Sequence, residues 1–449
     1  MEQAIIIIFV LGYLCIALEH VVNINKTASA LLTGVLCWTL LVFADPSDAL
    51  LNSNLYAQAA SIIGIENPEF AGLDVSSQYR EFAIFELNHH LASIAQIIFF
   101  LMGAMTIVEL VDAHHGFRFI TDRIRTSRYA TLLWIICIVT FVLSAILDNL
   151  TTSIVMVSLI RKLVHDHEKR MFFAGMIIIA ANAGGAWTPI GDITTTMLWI
   201  GGQITTLAIM KSLFIPSMVC LLAPLIYLSF TMKGKIGPAS HAEYEPVKGS
   251  RLMLFLGVGA LVSVPLFKTY THLPPYMGML LGLGILWVAS ELIHPELDEA
   301  EKKRFSAAGA LSRIDVPSVL FFAGILLAVA ALESMLTLHH FAELLADVFK
   351  DNRIIITLIG VLSAIVDNVP LVAASMGMYS LDMYPQDHMI WSYLAYCAGT
   401  GGSMLIIGSA AGVAVMGMEK INFIWYAKKM SLIAMGGYLA GAACFLLMH

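Results

Sequence analysis

Charge is what this chain has least of. Asp, Glu, Lys and Arg make up 13% of its 449 residues against 59% hydrophobic, and the mean hydropathy is +0.82. That composition excludes an ordinary soluble domain and makes the bilayer the solvent to reason with. The six cysteines (Cys15, Cys37, Cys137, Cys220, Cys397 and Cys444) all lie within apolar runs, with neither C-x-x-C spacing nor a nearby histidine pair. A disulfide framework and a thiolate metal site are thereby excluded. The first apolar run lacks the basic flank and small-residue cleavage site of a removable signal peptide, so it is expected to remain as a helix. Nothing in the sequence asks for a cofactor or a nucleic-acid partner.

What is present is a series of apolar runs of the roughly 20 residues that a bilayer about 30 Å thick requires. Ten full spans are read at residues 4–22, 28–44, 91–113, 171–209, 212–232, 252–268, 275–293, 317–338, 391–418 and 430–447. Residues 129–163 and 354–380 are each too long for one span and too short for two, and each carries an Asp-Asn pair near its middle. Both are read as re-entrant helical hairpins.

The flanks of a re-entrant hairpin must share a side, and basic residues mark the cytoplasmic one. The first hairpin lies between Arg118, Arg123, Arg125 and Arg128 on one flank and Arg161, Lys162, Lys169 and Arg170 on the other. Both flanks read as cytoplasmic. The second follows only Lys350 and Arg353, with neither Lys nor Arg in 381–389, and reads as external. Carried along the chain, this orientation leaves only Arg80, Lys211, Lys268, Lys350 and Arg353 of the 25 basic residues outside. A bacterial inner membrane with both termini external is expected, with the acidic segment 45–88 as an external loop.

The chain also repeats itself. Leu143-Ser-Ala-Ile-Leu-Asp148-Asn149 returns as Leu362-Ser-Ala-Ile-Val-Asp367-Asn368, and Gly184, Gly185 and Gly191 return as Gly401, Gly402 and Gly408. The expected fold is therefore an all-α integral membrane protein of two repeats, residues 1–232 and 252–449, joined by a cytoplasmic linker at 233–251. Each repeat holds five transmembrane helices and one hairpin, with a broken helix at 171–209 in the first and 391–418 in the second. Five is odd, so the second copy starts on the opposite side and the repeat is inverted.

Charge inside a bilayer costs several kcal/mol, so ionisable residues at mid-depth are functional candidates. Those residues are Asp148, Asp192 and Asp367, with no Lys, Arg or His beside them at the midplane. At the hairpin tips Asp-Asn also reads as a turn with an N-cap, supplied by Asn149 with Thr151 or Thr152, and by Asn368 with Pro370. Capping alone does not require a carboxylate at the same tip in both copies. In the broken helices Gly184, Gly185, Pro189 and Gly191, and again Gly401, Gly402 and Gly408, interrupt the backbone and free carbonyls. The second copy has Ser409 where the first has Asp192. Hard cations prefer such oxygen ligands. A carboxylate removed from water also holds a proton more readily, so one aspartate can exchange the two.

These residues resemble the ion transporter superfamily and, within it, the NhaD-type sodium/proton antiporters. The resemblance rests on Ser-Ala-Ile-Leu-Asp148-Asn149-Leu-Thr-Thr, Ala-Asn182-Ala-Gly-Gly-Ala-Trp-Thr188-Pro-Ile-Gly-Asp192, Asp367-Asn368-Val-Pro and Gly-Thr400-Gly-Gly-Ser403. It implies exchange of Na⁺ or Li⁺ for H⁺, a homodimer, and an elevator-like movement of hairpins with broken helices. It also implies a sodium site of Asp148, Asn149, Asn182, Thr188 and Asp192 with Asp367, Asn368, Thr400 and Ser403. Na⁺ would sit at Asp148, Asn149 and Asp192, and Asp148 and Asp192 would carry the proton.

Dicarboxylate carriers of the superfamily are similar in architecture but place Ser-Asn-Thr at the hairpin tips, so Asp148-Asn149 and Asp367-Asn368 favour a cation. An ion-coupled carrier of an oxyanion, arsenite or dicarboxylate is the alternative, with Thr194 to Thr196 lining its pocket. An intramembrane aspartyl protease would also use two buried aspartates, but the sequence carries no catalytic pattern around them.

Overall fold

A computed structural model describes residues 1–449 except 18, 118–125, 127, 233, 235–246, 297 and 366. Arg118, Arg123 and Arg125 of the first hairpin flank, Val366 of the second repeat motif, and most of the linker with Lys233 and Lys235 lie outside the described residues. Among those described, helices are the only regular secondary structure and no β-strand occurs.

In chain order the principal helices are α1 (Glu2–Ala17), α2 (Lys26–Val42), α3 (Asn54–Glu66), α4 (Val75–Ala113), α5 (Tyr129–Ser144) and α6 (Asn149–Leu163). There follow α7 (His167–Ala186), α8 (Ile193–Ile200), α9 (Thr206–Thr231), α10 (Ser250–Thr271), α11 (Pro275–Ile293) and α12 (Val316–Ser334). The last are α13 (Thr337–Phe349), α14 (Asn352–Leu362), α15 (Asn368–Met378), α16 (Met389–Gly401), α17 (Ala410–Glu419) and α18 (Ser431–Met448).

Of the described helices α4, α9, α10, α11, α12 and α18 are long and apolar enough to cross a bilayer. Their outward faces are apolar: Phe255 and Leu266 on α10, Ile285 and Val288 on α11 and Leu432 on α18 are all exposed. Such exposure would aggregate a protein in water, and it is what a hydrocarbon solvent selects. This is the architecture of an integral membrane protein.

The chain forms two compact units, each drawing on both halves of the sequence. The first comprises Met1–Ile98, Asp315–Asp351 and Val372–Met383. Within it α2 crosses α12 at Gly34 and Gly324, so closely that a Cβ on Gly34 would lie 2.6 Å from the Gly324 carbonyl oxygen. Small residues of this kind let helices pack without a hydrophobic driving force between them. Trp38 Nε1 donates to Leu327 O at 2.8 Å across the same crossing.

The segment 45–88, expected as an external loop, folds into helix, because Leu50, Tyr56, Ala59, Ile63, Phe70, Tyr79 and Phe82 close over Ala44 as a buried cluster. One expectation is corrected in this unit. The span at 317–338 ends early, at Ser334, where Leu336 turns the chain through a left-handed conformation (φ 62°) into the amphipathic α13.

The second unit comprises Phe99–Ile314, Asn352–Leu371 and Tyr384–His449. In it α7 packs against α5, α6, α9, α16 and α17, while α14 packs against α16 and α6 against α17. The interruptions follow the glycine pairs and do not include all of them: Gly184 and Gly185 lie inside α7 and Gly401 ends α16, so the expectation that they are unwound is corrected, because a helix tolerates glycine until Trp187 and Gly402 close it. Helix α5 stops at Ser144 and α6 starts at Asn149, α14 stops at Leu362 and α15 starts at Asn368, α7 gives way to α8 across 187–192, and α16 to α17 across 402–409.

Candidate functional site

The broken backbone is held open by close contact at glycine. A Cβ on Gly184 would fall on the Phe141 carbonyl oxygen, and one on Gly401 on the Gly360 carbonyl oxygen, so α7 lies directly against α5 and α16 directly against α14. One hydrogen bond recurs beside each contact: Ser144 Oγ donates to Ala181 O at 2.6 Å, and Ser363 Oγ to Ala398 O at 2.9 Å. A Cβ on Gly191 would meet Ser144 O at 2.6 Å, and one on Gly408 would meet Ser363 O at the same distance. Gly185 backs onto Gly191 and Gly402 onto Gly408.

These contacts bring helix ends together. Asp148 rather than Asn149 caps α6, with Oδ1 accepting from Thr151 N at 2.7 Å and Oδ2 from Thr151 Oγ1 at 2.7 Å. Its backbone, at φ 156° and ψ 165°, is one that side-chain-bearing residues rarely adopt. Asn149 is thereby the first residue of α6, and its amide is free to point inward. Its Nδ2 donates to Asp192 Oδ2 at 2.7 Å and to Asn182 Oδ1 at 3.1 Å. Asn182 Nδ2 then donates to Ser403 Oγ at 2.9 Å and to Ser409 Oγ at 3.1 Å. One continuous chain of side-chain bonds therefore links the hairpin tip, both parts of the first broken helix and the second broken helix.

Asp192 is 2% exposed and caps α8, its Oδ1 accepting from Thr194 N at 2.8 Å and Thr194 Oγ1 at 2.7 Å. Among the described partners of Asp148, Asn149, Asn182 and Asp192 there is no Lys, Arg or His. Asp192 Oδ2 and Asn182 Oδ1 both accept from Asn149 Nδ2, and a carboxylate or amide oxygen has capacity for a second partner.

The other expected residues lie close by in different roles. Thr188 Oγ1 donates to Ala145 O at 2.6 Å, tying the break in the helix to the hairpin tip. Thr400 turns its hydroxyl back onto Tyr396 O at 2.6 Å, within its own helix. Asp367 Oδ1 accepts from Val369 N at 3.4 Å, and Asn368 is buried at the start of α15 with Pro370 in the first turn. Pro189 O accepts from Thr196 Oγ1 at 2.8 Å. Thr194, Thr195 and Thr196 all direct their hydroxyls to Asp192 or Pro189, within the break and the first turn of α8.

Three residues join the site that the motifs did not single out as ligands. Ser409 is legible as the counterpart of Asp192 in the second copy. Thr152 and Ser153 share the buried face of α6 with Asn149 at helical spacing. Their hydroxyls are buried without a hydrogen-bond partner among the described residues.

The chain is similar over most of its length to known proteins. A family profile described as "Citrate transporter" (CitMHS) matches residues 5–399. "Sodium/proton antiporter 1" of Arabidopsis thaliana is 48% identical over 452 residues, which cover 100% of this chain and 73% of that protein. "Sodium/proton antiporter 2" of the same plant is 43% identical, covering 99% of both. "Na(+)/H(+) antiporter NhaD" of Vibrio cholerae is 29% identical, covering 99% of this chain and 91% of that one. The chain thus belongs to the citrate-transporter family of membrane carriers, a family of transporters rather than enzymes, and to its NhaD-type branch within the ion transporter superfamily.

Proposed function

We propose that this protein is a secondary active transporter exchanging Na⁺ or Li⁺ for H⁺, with Asp148 and Asp192 as the carboxylates shared by cation and proton. The observation that carries the reading is the bridge from Asn149 Nδ2 to Asp192 Oδ2 and Asn182 Oδ1, at 2.7 and 3.1 Å. It gathers carboxylate, amide and hydroxyl oxygens at the meeting of several helix ends, and a hard, weakly charged cation suits such a ligand set. Asn182, Thr188, Thr400, Ser403, Asp367 and Asn368 complete the surround. The names of the relatives support the same exchange, with the ions as cargo and no cofactor required.

The fold contributes in a way we also propose. The recurrence of the Ser144 and Ser363 bonds and of the glycine contacts supports two copies of one unit, residues 1–232 and 252–449, joined by the linker 233–251. The odd number of spans in each makes the repeat inverted, and the paired helices at 129–163 and 354–380 are re-entrant hairpins. Hairpins and broken helices move together, elevator-like, in a homodimer. The bias of basic residues places both termini on the side poor in Lys and Arg. That bias sorts the two faces of a membrane; a bacterial inner membrane suits the bacterial relatives, while others are plant proteins.

Dissipation of a preformed pH gradient in inverted vesicles on adding NaCl, LiCl or KCl tests the exchange. Na⁺ or Li⁺ is expected to collapse the gradient, with the response abolished in Asp148→Asn and Asp192→Asn. No response to any cation from mildly acidic to alkaline pH would sink the reading. The family description favours a second one, an ion-coupled carrier of a dicarboxylate, arsenite or other oxyanion. Accumulation of labelled citrate or arsenite without cation-driven proton movement would establish it instead.

A further inference from the structure

The helices that meet at the polar site meet again at their far ends. Glu419, the last residue of α17, is 2% exposed, and each of its carboxylate oxygens accepts one arginine Nε. Arg161, near the end of α6, donates to Oε1 at 2.6 Å, and Arg170, in the first turn of α7, donates to Oε2 at 2.7 Å. Arg170 also donates Nη1 to Val164 O at 3.1 Å, closing the short connection between α6 and α7.

Each of the three helices runs from one cluster to the other. Helix α6 leads from Asn149 to Arg161, α7 from Arg170 to Asn182, and α17 starts beside its cap Ser409 and ends at Glu419. At a rise of about 1.5 Å per residue, the two clusters lie roughly 15 to 18 Å apart along each helix. A helix pinned at one end is free to tilt and to turn about its axis; pinned at both, it is not. One buried carboxylate holds all three far ends, bridging two arginines with one charge-assisted bond to each oxygen.

We propose that Glu419 is a positioning residue for the cation site. By fixing the far ends of α6, α7 and α17 it sets the register in which Asn149, Asn182 and Ser409 face one another, and with it the affinity of the site for Na⁺ or Li⁺. This rests on the exchange reading above. Removing the carboxylate also leaves two arginines without their shared partner, which drives them apart.

The test uses the full chain in inverted vesicles. Glu419→Gln should raise the half-saturating Na⁺ concentration about tenfold while lowering the maximal rate much less, since a charge-assisted bond is lost and the carboxylates remain. Glu419→Asp should recover part of that affinity. Arg161→Gln keeps the Arg170 bond, should show a smaller shift in the same direction, and serves if Glu419→Gln does not fold. An unchanged half-saturation with only a lower rate or lower abundance would overturn the proposal.

A second readout is independent of transport. Hydrogen exchange in Glu419→Gln should quicken at the amides of Thr151 and Gly412, in the first turns of α6 and α17 at the ends opposite the clamp, as well as near residues 161–170. Exchange that quickens only near the clamp overturns the proposal. Exchange that quickens at both ends in a protein showing no cation response upholds the mechanical link and overturns the exchange reading instead.

Discussion

Asp192 and Ser409 hold the same backbone conformation at the start of their half-helices, φ −145° and ψ 145° for one and φ −144° and ψ 152° for the other. Each caps its helix with its side chain, and each is linked to Asn182, Asp192 through Asn149 and Ser409 directly. The two copies therefore share a backbone device and differ in charge. That difference separates what the cap does from what the carboxylate does.

Asp192→Asn should keep the cap of α8, since Asn caps as well as Asp, and lose cation-driven proton movement entirely. Ser409→Ala should lower stability by about 1 kcal/mol through the lost cap and retain exchange, because Ser403 still accepts from Asn182. Melting temperature in detergent and the vesicle assay, run on both variants, give the comparison.

Asn149→Ala removes both donors at the centre of the chain and leaves Asp192 Oδ2 and Asn182 Oδ1 with nothing from the hairpin tip. Losing a hydrogen bond to a charged group costs about 1.5 to 3 kcal/mol, or roughly ten- to over a hundredfold in half-saturating Na⁺. A concentration series of NaCl against the wild type measures it. A shift below threefold would show that the hairpin tip does not organise the site.

Gly184→Ala and Gly401→Ala should be equally damaging. In each, the new methyl group falls on a carbonyl oxygen of the neighbouring hairpin arm. Overpacking of this kind costs about 1 to 3 kcal/mol or more, because backbone must move. Gly436→Ala, on α18 with open space where its Cβ would lie, should be neutral or slightly stabilising. Thermal stability of the three purified variants tests the ordering.

A pH dependence is expected from His114 and His294, just beyond the ends of α4 and α11. Their rings stack at 5.3 Å, and Phe305 covers His294 at 4.5 Å. His114 Nδ1 donates to Leu110 O at 2.8 Å, and neither Nε2 has a partner among the described residues. Burial holds both below the ordinary histidine range. For His114 the Leu110 bond opposes this while His294 and His115 add to it; for His294, Glu296 opposes and Lys248 adds. A lowered folded-state value means that the neutral pair contributes fully above an ordinary histidine pKa of about 6.5. That contribution is lost as pH falls from there through the folded-state values, because the unfolded chain takes up protons first. Melting temperature should drop on acidification in the wild type and drop less in His294→Phe.

How much of this was legible in the sequence depends on distance along the chain. The short helices within 129–163 and 354–380, the breaks at 187–192 and 402–409 and the capping by Asp-Asn follow from local signals: an apolar run of the wrong length, glycines with a proline, a polar pair between helices. Even there the cap is Asp148 and not Asn149, because only the backbone shows which residue stands just outside the helix. The folded segment 45–88 was hidden because an acidic stretch with scattered Leu, Tyr and Phe has no period that distinguishes loop from packed helix. Glu419 with Arg161 and Arg170, and Asn182 with Ser403, are separated by over 200 residues. In a chain dissolved in lipid, apolar residues face both solvent and core, so periodicity does not report which helix faces meet.

Asp148 sets a limit on how this protein can be stabilised. Its backbone sits where glycine is at ease, and a redesign guided by local comfort alone would write glycine there. That single exchange would relax the turn and delete the carboxylate we propose as a carrier of the proton. The tip is thus a place where robustness and work demand different residues, and a selection for heat tolerance alone should recover inactive protein altered at this position.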